Sequence, residues 1–168
     1  YTGGAQAIGD AFRAVRRGLA DVIIAGGYDS LLTPNTIFSL DSFGLLSPQD
    51  EPARACRPFD RDRTGMVAGE GAGFVIVEEL EHARRRGAKI YGELCGYGST
   101  ADAYRLTDSH PEGVGAAAAI RIALETAGVD PGDVDYLNAH GTSTKVNDAV
   151  ETIAIKKNFG EHAKRLPV

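Results

Sequence analysis

A chain of 168 residues, 43% hydrophobic and 24% charged, suits one soluble globular unit. Its formal charge of −5 gives no electrostatic reason for nucleic acid or an anionic membrane as a partner. No apolar run is long enough to cross a bilayer, and two cysteines outside a CxxC spacing favour a reduced, cytoplasmic location over a disulfide scaffold.

Helix and strand patterns alternate through the first half of the chain. Apolar residues at i, i+3, i+4 and i+7 predict a helix over residues 5–17, which Gly18 ends as a C-terminal cap. The continuous apolar runs at 21–27 and 74–77 are typical of strands covered on both faces, and a short helix follows the second run. Residues 28–68 are rich in Pro, Ser, Asp and Gly, and we expect loops and short helices there.

The second half repeats this alternation. We expect strands at residues 89–94 and 134–137, an alanine-rich helix at 114–127, and a last helix after residue 144. The buried face of that last helix is predicted from its apolar residues Val146, Val150, Ile153 and Ala154. The alternation as a whole predicts an α/β fold with mainly parallel strands. Because the chain has no initiating Met and residues 166–168 resemble the start of a strand, we expect an internal part of a longer protein.

One polar segment stands out directly after the predicted strand at 134–137. Residues 138–144 read NAHGTST, and loops at the carboxyl ends of parallel strands often carry the chemistry of α/β proteins. His140 can exchange a proton near neutral pH, and Gly141 allows a substrate to approach the backbone closely. Three hydroxyl groups follow, which predicts orientation of a polar ligand by Thr142, Ser143 and Thr144. A satisfied loop histidine is the alternative.

Other candidate motifs are explained more simply by structure. The sequence GEGAG at residues 69–73 precedes a strand instead of opening a helix, so it does not match a dinucleotide-binding loop. The spacing of Asp60, Asp62 and Glu70 fits no calcium or magnesium loop, and ion pairs with nearby arginines are expected in place of a metal. Three histidines are interpreted as surface groups, namely His82, His110 and His162. Cys95 is expected to be a small core residue, and Cys56 is not expected to act as a nucleophile.

Six ordered segments together resemble one enzyme family. The chain is similar to the β-ketoacyl-acyl carrier protein synthases, the elongating condensing enzymes of fatty acid and polyketide synthesis, and in particular to the type II fatty acid elongating branch. The similarity extends over essentially the whole chain. The matching segments are GAQAIGDA (4–11), ADVIIAGG (20–27), RPFD (57–60), GEGAG (69–73), GYGSTADAY (96–104) and NAHGTST (138–144).

The resemblance implies a thiolase-like α/β fold of five layers, α/β/α/β/α, built from two similar halves. Residues 1–86 would be the end of the N-terminal half and residues 87–168 the start of the C-terminal half. It also implies a cytoplasmic acyltransferase that takes its substrates on the phosphopantetheine of acyl carrier protein, without a further cofactor or a metal. The intact protein would be a homodimer or a ketosynthase heterodimer.

The resemblance also assigns roles to individual residues. His140 matches the first of two catalytic histidines, and Thr142 and Thr144 match the threonines that bind the pantetheine arm. The second histidine and an accompanying lysine would lie beyond Val168. Tyr1 stands at the position of the nucleophilic cysteine, and a phenol of ordinary pKa about 10 is a poor acyl carrier.

Two interpretations of Tyr1 remain open. A tyrosine produced by the boundary of the sequence would leave the parent a condensing synthase. A genuine tyrosine would make the parent a non-condensing homologue, resembling the chain-length-factor subunits that pair with an active ketosynthase. A thiolase acting on coenzyme A esters is a third reading, disfavoured because residues 140–144 match the synthases.

Overall fold

The structure, a computed structural model, describes residues 2–105 and 108–168. In the described part of the first half, the elements in chain order are α1 (Gly3–Arg16), β1 (Val22–Ser30), α2 (Pro34–Ser42), α3 (Pro52–Ala55), β2 (Glu70–Glu78) and α4 (Leu80–Arg85). The second half contains α5 (Val114–Ala127) and α6 (Lys145–Phe159), with 3₁₀ turns at Pro131–Asp133 and Gly160–Lys164. None of the helices in these ranges is long and apolar enough to span a membrane.

The helix boundaries follow the local signals in the sequence. Gly18 and Gly128 adopt left-handed backbone angles just beyond α1 and α5, with φ of 68° and 67°. A residue without a Cβ takes this conformation at little cost, which is why glycine ends many helices. The predicted helices over 5–17 and 114–127 are therefore confirmed.

The direction of strand pairing differs from the prediction. β1 and β2 are antiparallel, with Ile24 opposite Ile76. The expectation of mainly parallel strands is thus wrong for the sheet that the described residues form. An apolar run indicates that a strand is buried, but it carries no information about the direction of its neighbour.

Only one face of this sheet is covered within the described residues. α1 packs on the face that carries Ala25, which is 5% exposed, and Gly27, whose backbone lies against Gly4. The opposite face is open, and its large side chains are 60% to 83% exposed: Ile24, Tyr28, Phe74 and Ile76. The prediction that both faces are covered is therefore wrong for the described chain.

The two strands expected at 89–94 and 134–137 are extended segments outside any ladder of the described residues. A strand needs a neighbour for its backbone hydrogen bonds. In the 134–137 segment, Leu137 N donates one such bond, to Pro167 O at 3.0 Å. Cys95 directly follows the first of these uncovered stretches and is exposed. Its predicted place in the core is wrong for the same reason.

The second half has a compact core of its own. Ile155 and Phe159 of α6 pack with Leu166, and all three are 6% exposed. Further partly buried side chains from α5 and from the extended segment complete the cluster, namely Ile120, Leu124, Val134 and Leu137, together with Ala163.

The three histidines interpreted as surface groups are all half-buried instead. His162 Nε2 lies 2.7 Å from Val134 O, and His82 Nδ1 lies 2.6 Å from the Glu78 carboxylate. The His110 ring packs edge-on against Tyr104. Each ring thus has a structural partner. The charged residues beside the histidines in the sequence, which favour a surface position, did not indicate these partners.

Candidate active site

The loop predicted to carry chemistry connects the extended segment at 134–139 to the start of α6. Thr144 caps the helix, its Oγ1 accepting a hydrogen bond from Asn147 N at 3.4 Å. The hydroxyls of Thr142 and Thr144 are 2.8 Å apart. The loop therefore presents a hydrogen-bonded pair of threonine hydroxyls at the start of α6.

Glu151 fixes the backbone around the histidine. One of its carboxylate oxygens accepts from His140 N at 2.7 Å and the other from Gly141 N at 2.9 Å. Asn147 Nδ2 donates to the same carboxylate at 3.3 Å. His140 itself is exposed, and within the described residues its imidazole forms no hydrogen bond. The backbone is held while the ring stays available to a ligand.

Ser143 has a structural role instead of the predicted ligand-orienting one. It is completely buried, it has a positive φ of 66°, and its Oγ accepts a hydrogen bond from Arg57 N at 3.0 Å. Thr142 and Thr144 are only partly buried. The three hydroxyls thus divide into a partly buried pair that bond to each other and one fully buried hydroxyl that joins the loop to Arg57.

Residues 57–63 from the first half of the chain lie against this loop. Asp148 of α6 is 1% exposed, and its carboxylate accepts from Phe59 N at 2.8 Å. The same oxygen is 3.4 Å from Arg63 Nε, an ion pair that compensates for the burial of the carboxylate. A Cβ at Gly141 would lie 3.3 Å from Pro58, so this glycine allows the two segments to approach closely.

The structure thus brings three of the predicted site residues into one loop: His140, Thr142 and Thr144. Tyr1 lies outside the described residues. No group of three or more potential metal ligands occurs in residues 2–105 and 108–168. Asp60 pairs with Arg57, Asp62 pairs with Arg61, and the Glu70 carboxylate accepts a hydrogen bond from Ser30 Oγ.

Sequence reasoning missed the residues that support the loop, above all Asp148, Glu151 and Arg63. A signal for two of them was present, because positions 148, 151, 155 and 159 share one helical face that ends in Ile155 and Phe159. An acidic residue on the same helical face as buried apolar residues is itself expected to be buried, and a buried carboxylate needs hydrogen-bond or ion-pair partners. The predicted face was only half correct, since Val150 and Ala154 are buried but Val146 is 50% exposed.

Comparison with known sequences gives two family matches. The profile described as "Beta-ketoacyl synthase, N-terminal domain" matches residues 2–83, and "Beta-ketoacyl synthase, C-terminal domain" matches residues 91–168. The 3-oxoacyl-[acyl-carrier-protein] synthase 2 of Staphylococcus aureus is 50% identical over 165 residues, which are 98% of this chain and 41% of that protein. The chain thus spans about two fifths of the length of this relative.

Solved structures agree with the sequence matches. A chain from a type II polyketide synthase acyl-carrier protein in complex with its ketosynthase has a TM-score of 0.93 and 41% identity, over 99% of this chain and 41% of that one. A chain of the ishigamide ketosynthase/chain length factor has a TM-score of 0.86 and 39% identity, over 94% of this chain and 37% of that one. The α/β, thiolase-like fold class expected from the sequence is confirmed.

Proposed function

Because this chain belongs to the β-ketoacyl synthase family, we propose that it forms part of a 3-oxoacyl-[acyl-carrier-protein] synthase. The observation that carries the proposal is the 140–144 loop, in which Glu151 accepts from the amides of His140 and Gly141 while the exposed His140 ring forms no hydrogen bond within the described residues. The intact enzyme would act in fatty acid or polyketide synthesis, with acyl carrier protein as its partner. Proteins similar to this chain are named for that activity.

The proposed reaction is a decarboxylative Claisen condensation. An acyl group first moves from the thiol of its carrier to an enzyme thiol. Malonyl-carrier protein then loses carbon dioxide, and the electron pair of the broken C–C bond forms an enolate. The enolate carbon attacks the acyl thioester, so that a new C–C bond forms, the C–S bond to the enzyme breaks, and 3-oxoacyl-carrier protein leaves.

His140 would donate a hydrogen bond to the thioester oxygen that becomes negative during decarboxylation. A donor held in place before the reaction stabilises such charge without having to reorganise. Glu151 would hold the donor in place, because its carboxylate accepts hydrogen bonds from the consecutive backbone amides of His140 and Gly141. The ring can then approach the substrate while the loop stays fixed.

Thr142 and Thr144 would bind the pantetheine arm that carries the malonyl group. Their hydroxyls lie 2.8 Å apart and belong to partly buried residues. A hydroxyl can both donate to and accept from the amides of such an arm. No other cofactor or metal enters the proposal. The thiols of Cys56 and Cys95 are unpaired, which suits a reducing, cytoplasmic setting.

We also propose that the two halves of the enzyme meet near Arg86, with residues 1–86 in the first and 87–168 in the second. The ranges matched by the two family profiles support this division. The contacts of Ser143 and Asp148 with residues 57–59 would then join the halves at the active site. The intact protein would be a homodimer or a heterodimer of ketosynthase subunits.

A second candidate function is a chain-length-factor-like subunit that does not condense. The tyrosine at position 1 favours it, and the ishigamide ketosynthase/chain length factor is among the similar structures. Reading the coding sequence of the natural gene through position 1 separates the two functions. A cysteine codon supports the condensing enzyme, and a tyrosine codon supports the silent subunit.

The activity test uses the full-length protein that contains these residues. It is incubated with acyl- and malonyl-carrier protein, and the 3-oxoacyl product is detected by mass spectrometry. The condensing enzyme forms product alone, whereas the silent subunit forms none until an active ketosynthase is added. The isolated 168-residue chain serves as a control and is expected to be inactive, because residues 2–168 contain no match to the cysteine nucleophile or the second histidine that the family resemblance implies.

A further inference from the structure

We infer that Arg63 is a positioning residue for the carrier arm, acting through the backbone of Thr144 and Lys145. This inference rests on the proposed function, because it takes the threonine pair as the site of the arm. Arg63 lies between the matching segments 57–60 and 69–73, and it precedes Thr144 by 81 positions.

The guanidinium group of Arg63 connects three backbone carbonyls. Nε donates to Thr144 O at 3.0 Å, and Nη2 donates to Lys145 O at 2.7 Å. Nη1 donates to Asp60 O at 2.9 Å, within its own segment. A planar group with donors in a fixed fork can hold these acceptors together, which a lysine ammonium cannot do.

A cation beside the first turn of a helix is normally unfavourable, because the amino end of a helix carries partial positive charge. Here Asp148 supplies the opposite charge, with 3.4 Å between its Oδ2 and Arg63 Nε. The Arg63 side chain is only 16% exposed, so solvent screens the pair little. The arginine is therefore held firmly at the point where the loop enters α6.

Holding the Thr144 carbonyl fixes the peptide that bears the Thr144 side chain. That side chain both caps α6 and bonds to the Thr142 hydroxyl. His140 depends instead on Glu151, which Arg63 does not contact among the described residues. The loop thus has two supports, one beneath the histidine and one beneath the threonine pair. Asn147 connects them, since its Nδ2 donates to Asp148 at 3.1 Å and to Glu151 at 3.3 Å.

The test compares Arg63→Lys and Arg63→Gln with wild type in the full-length protein. We expect the KM for malonyl-carrier protein to rise about tenfold in both variants, because charge-assisted bonds to the Thr144 and Lys145 carbonyls are lost. The kcat should stay within about twofold, since Arg63 makes no direct contact with Glu151 among the described residues. The Gln side chain is planar and has two N–H donors, so it can replace part of the hydrogen bonding of Arg63. The KM can therefore still be measured on Arg63→Gln if Arg63→Lys does not fold.

Arg61 gives a matched control two residues away. It is 93% exposed, and its one ion pair within the described residues is with Asp62, so Arg61→Lys should leave both KM and kcat unchanged. Glu151→Gln should show the opposite split from the Arg63 variants, with a lower kcat and a smaller change in KM. A role of Arg63 in stability alone would lower the melting temperature without moving KM.

The result that overturns the inference is an unchanged KM in a folded Arg63 variant. Calorimetric binding of malonyl-pantetheine separates this failure from failure of the proposed function. If wild type forms no 3-oxoacyl product, the proposed function fails, and weaker binding of the probe to the variants still supports the role of Arg63. If wild type is active and the variants bind the probe as tightly as wild type does, the inference is wrong.

Discussion

The β1–β2 sheet and the 140–144 loop differ in how completely they are supported by the described residues. The sheet presents Ile24 and Ile76, 73% and 63% exposed, on a face that nothing in those residues covers. The loop is held by the buried Ser143 and Asp148 and by bonds to residues far away in sequence. Within the described residues, the loop therefore has buried polar partners, whereas one face of the sheet has no covering layer.

The open sheet face leads to the largest expected effect. We predict that the isolated 168-residue chain self-associates, because apolar strands with an uncovered face and edge provide a template for pairing with other chains. Replacing the facing pair by Ile24→Thr and Ile76→Thr should raise the monomeric fraction measured by analytical ultracentrifugation. As a matched control, Thr substitution of the buried Ile155 in α6 should not raise it. A monodisperse, cooperatively unfolding wild-type chain would contradict the prediction.

The supports of the loop lead to the next effect. Asp148→Ala in the full-length protein should lower the free energy of unfolding by about 3–5 kcal/mol, because it leaves the largely buried Arg63 without its counter-charge. It also leaves Phe59 N without an acceptor. Asp62→Ala, at a side chain that is 66% exposed, should change the value by less than about 0.5 kcal/mol. Equal values for both variants in urea unfolding would show that the loop is not anchored as described.

The smallest expected effect is a pH dependence of stability, and it arises from Glu78 at the end of β2. Arg86 donates two hydrogen bonds to Glu78, at 2.7 and 2.6 Å, and together with His82 lowers the pKa of Glu78 from 4.5 to about 2. Since the folded pKa is depressed, the stabilisation is present above about pH 4.5 and is lost as the pH falls towards 2.

The corresponding test measures urea unfolding of the full-length protein at pH 5 and pH 3. Glu78→Gln should reduce the loss of stability between the two values, because the substituted side chain no longer titrates. Glu81→Gln, in a pair with Arg84 that is 59% exposed on both sides, should behave as wild type does. The same loss in the Glu78 variant as in wild type would refute the assignment.

The same contrast explains what could be predicted from sequence. Helices such as α1 and α5 were predictable because their apolar spacing and their glycine caps are local signals. The contacts of Arg63 and Asp148 were not, since a pattern within one segment does not indicate which distant segment it meets. The antiparallel pairing and the exposure of Cys95 were missed because a strand pattern does not identify its neighbours.

The site divides in the same way. The 138–144 segment and its family resemblance brought His140, Thr142 and Thr144 to attention, and the structure places them in one loop. Their catalytic and binding roles remain predictions. Ser143 was grouped with its neighbouring hydroxyls, although its positive φ and full burial separate it from them. Backbone conformation of this kind is set by packing, which the residue type alone did not indicate.

The most direct test of the account is carbon dioxide release from malonyl-carrier protein by the full-length protein and its His140→Ala variant. This step precedes attack on the acyl thioester, so it reports the histidine separately from the nucleophile position. We predict a loss of about 10²- to 10³-fold in the variant, the typical effect of removing one preorganised donor, with an unchanged melting temperature. Equal rates of release by the two proteins would contradict a catalytic role for this loop.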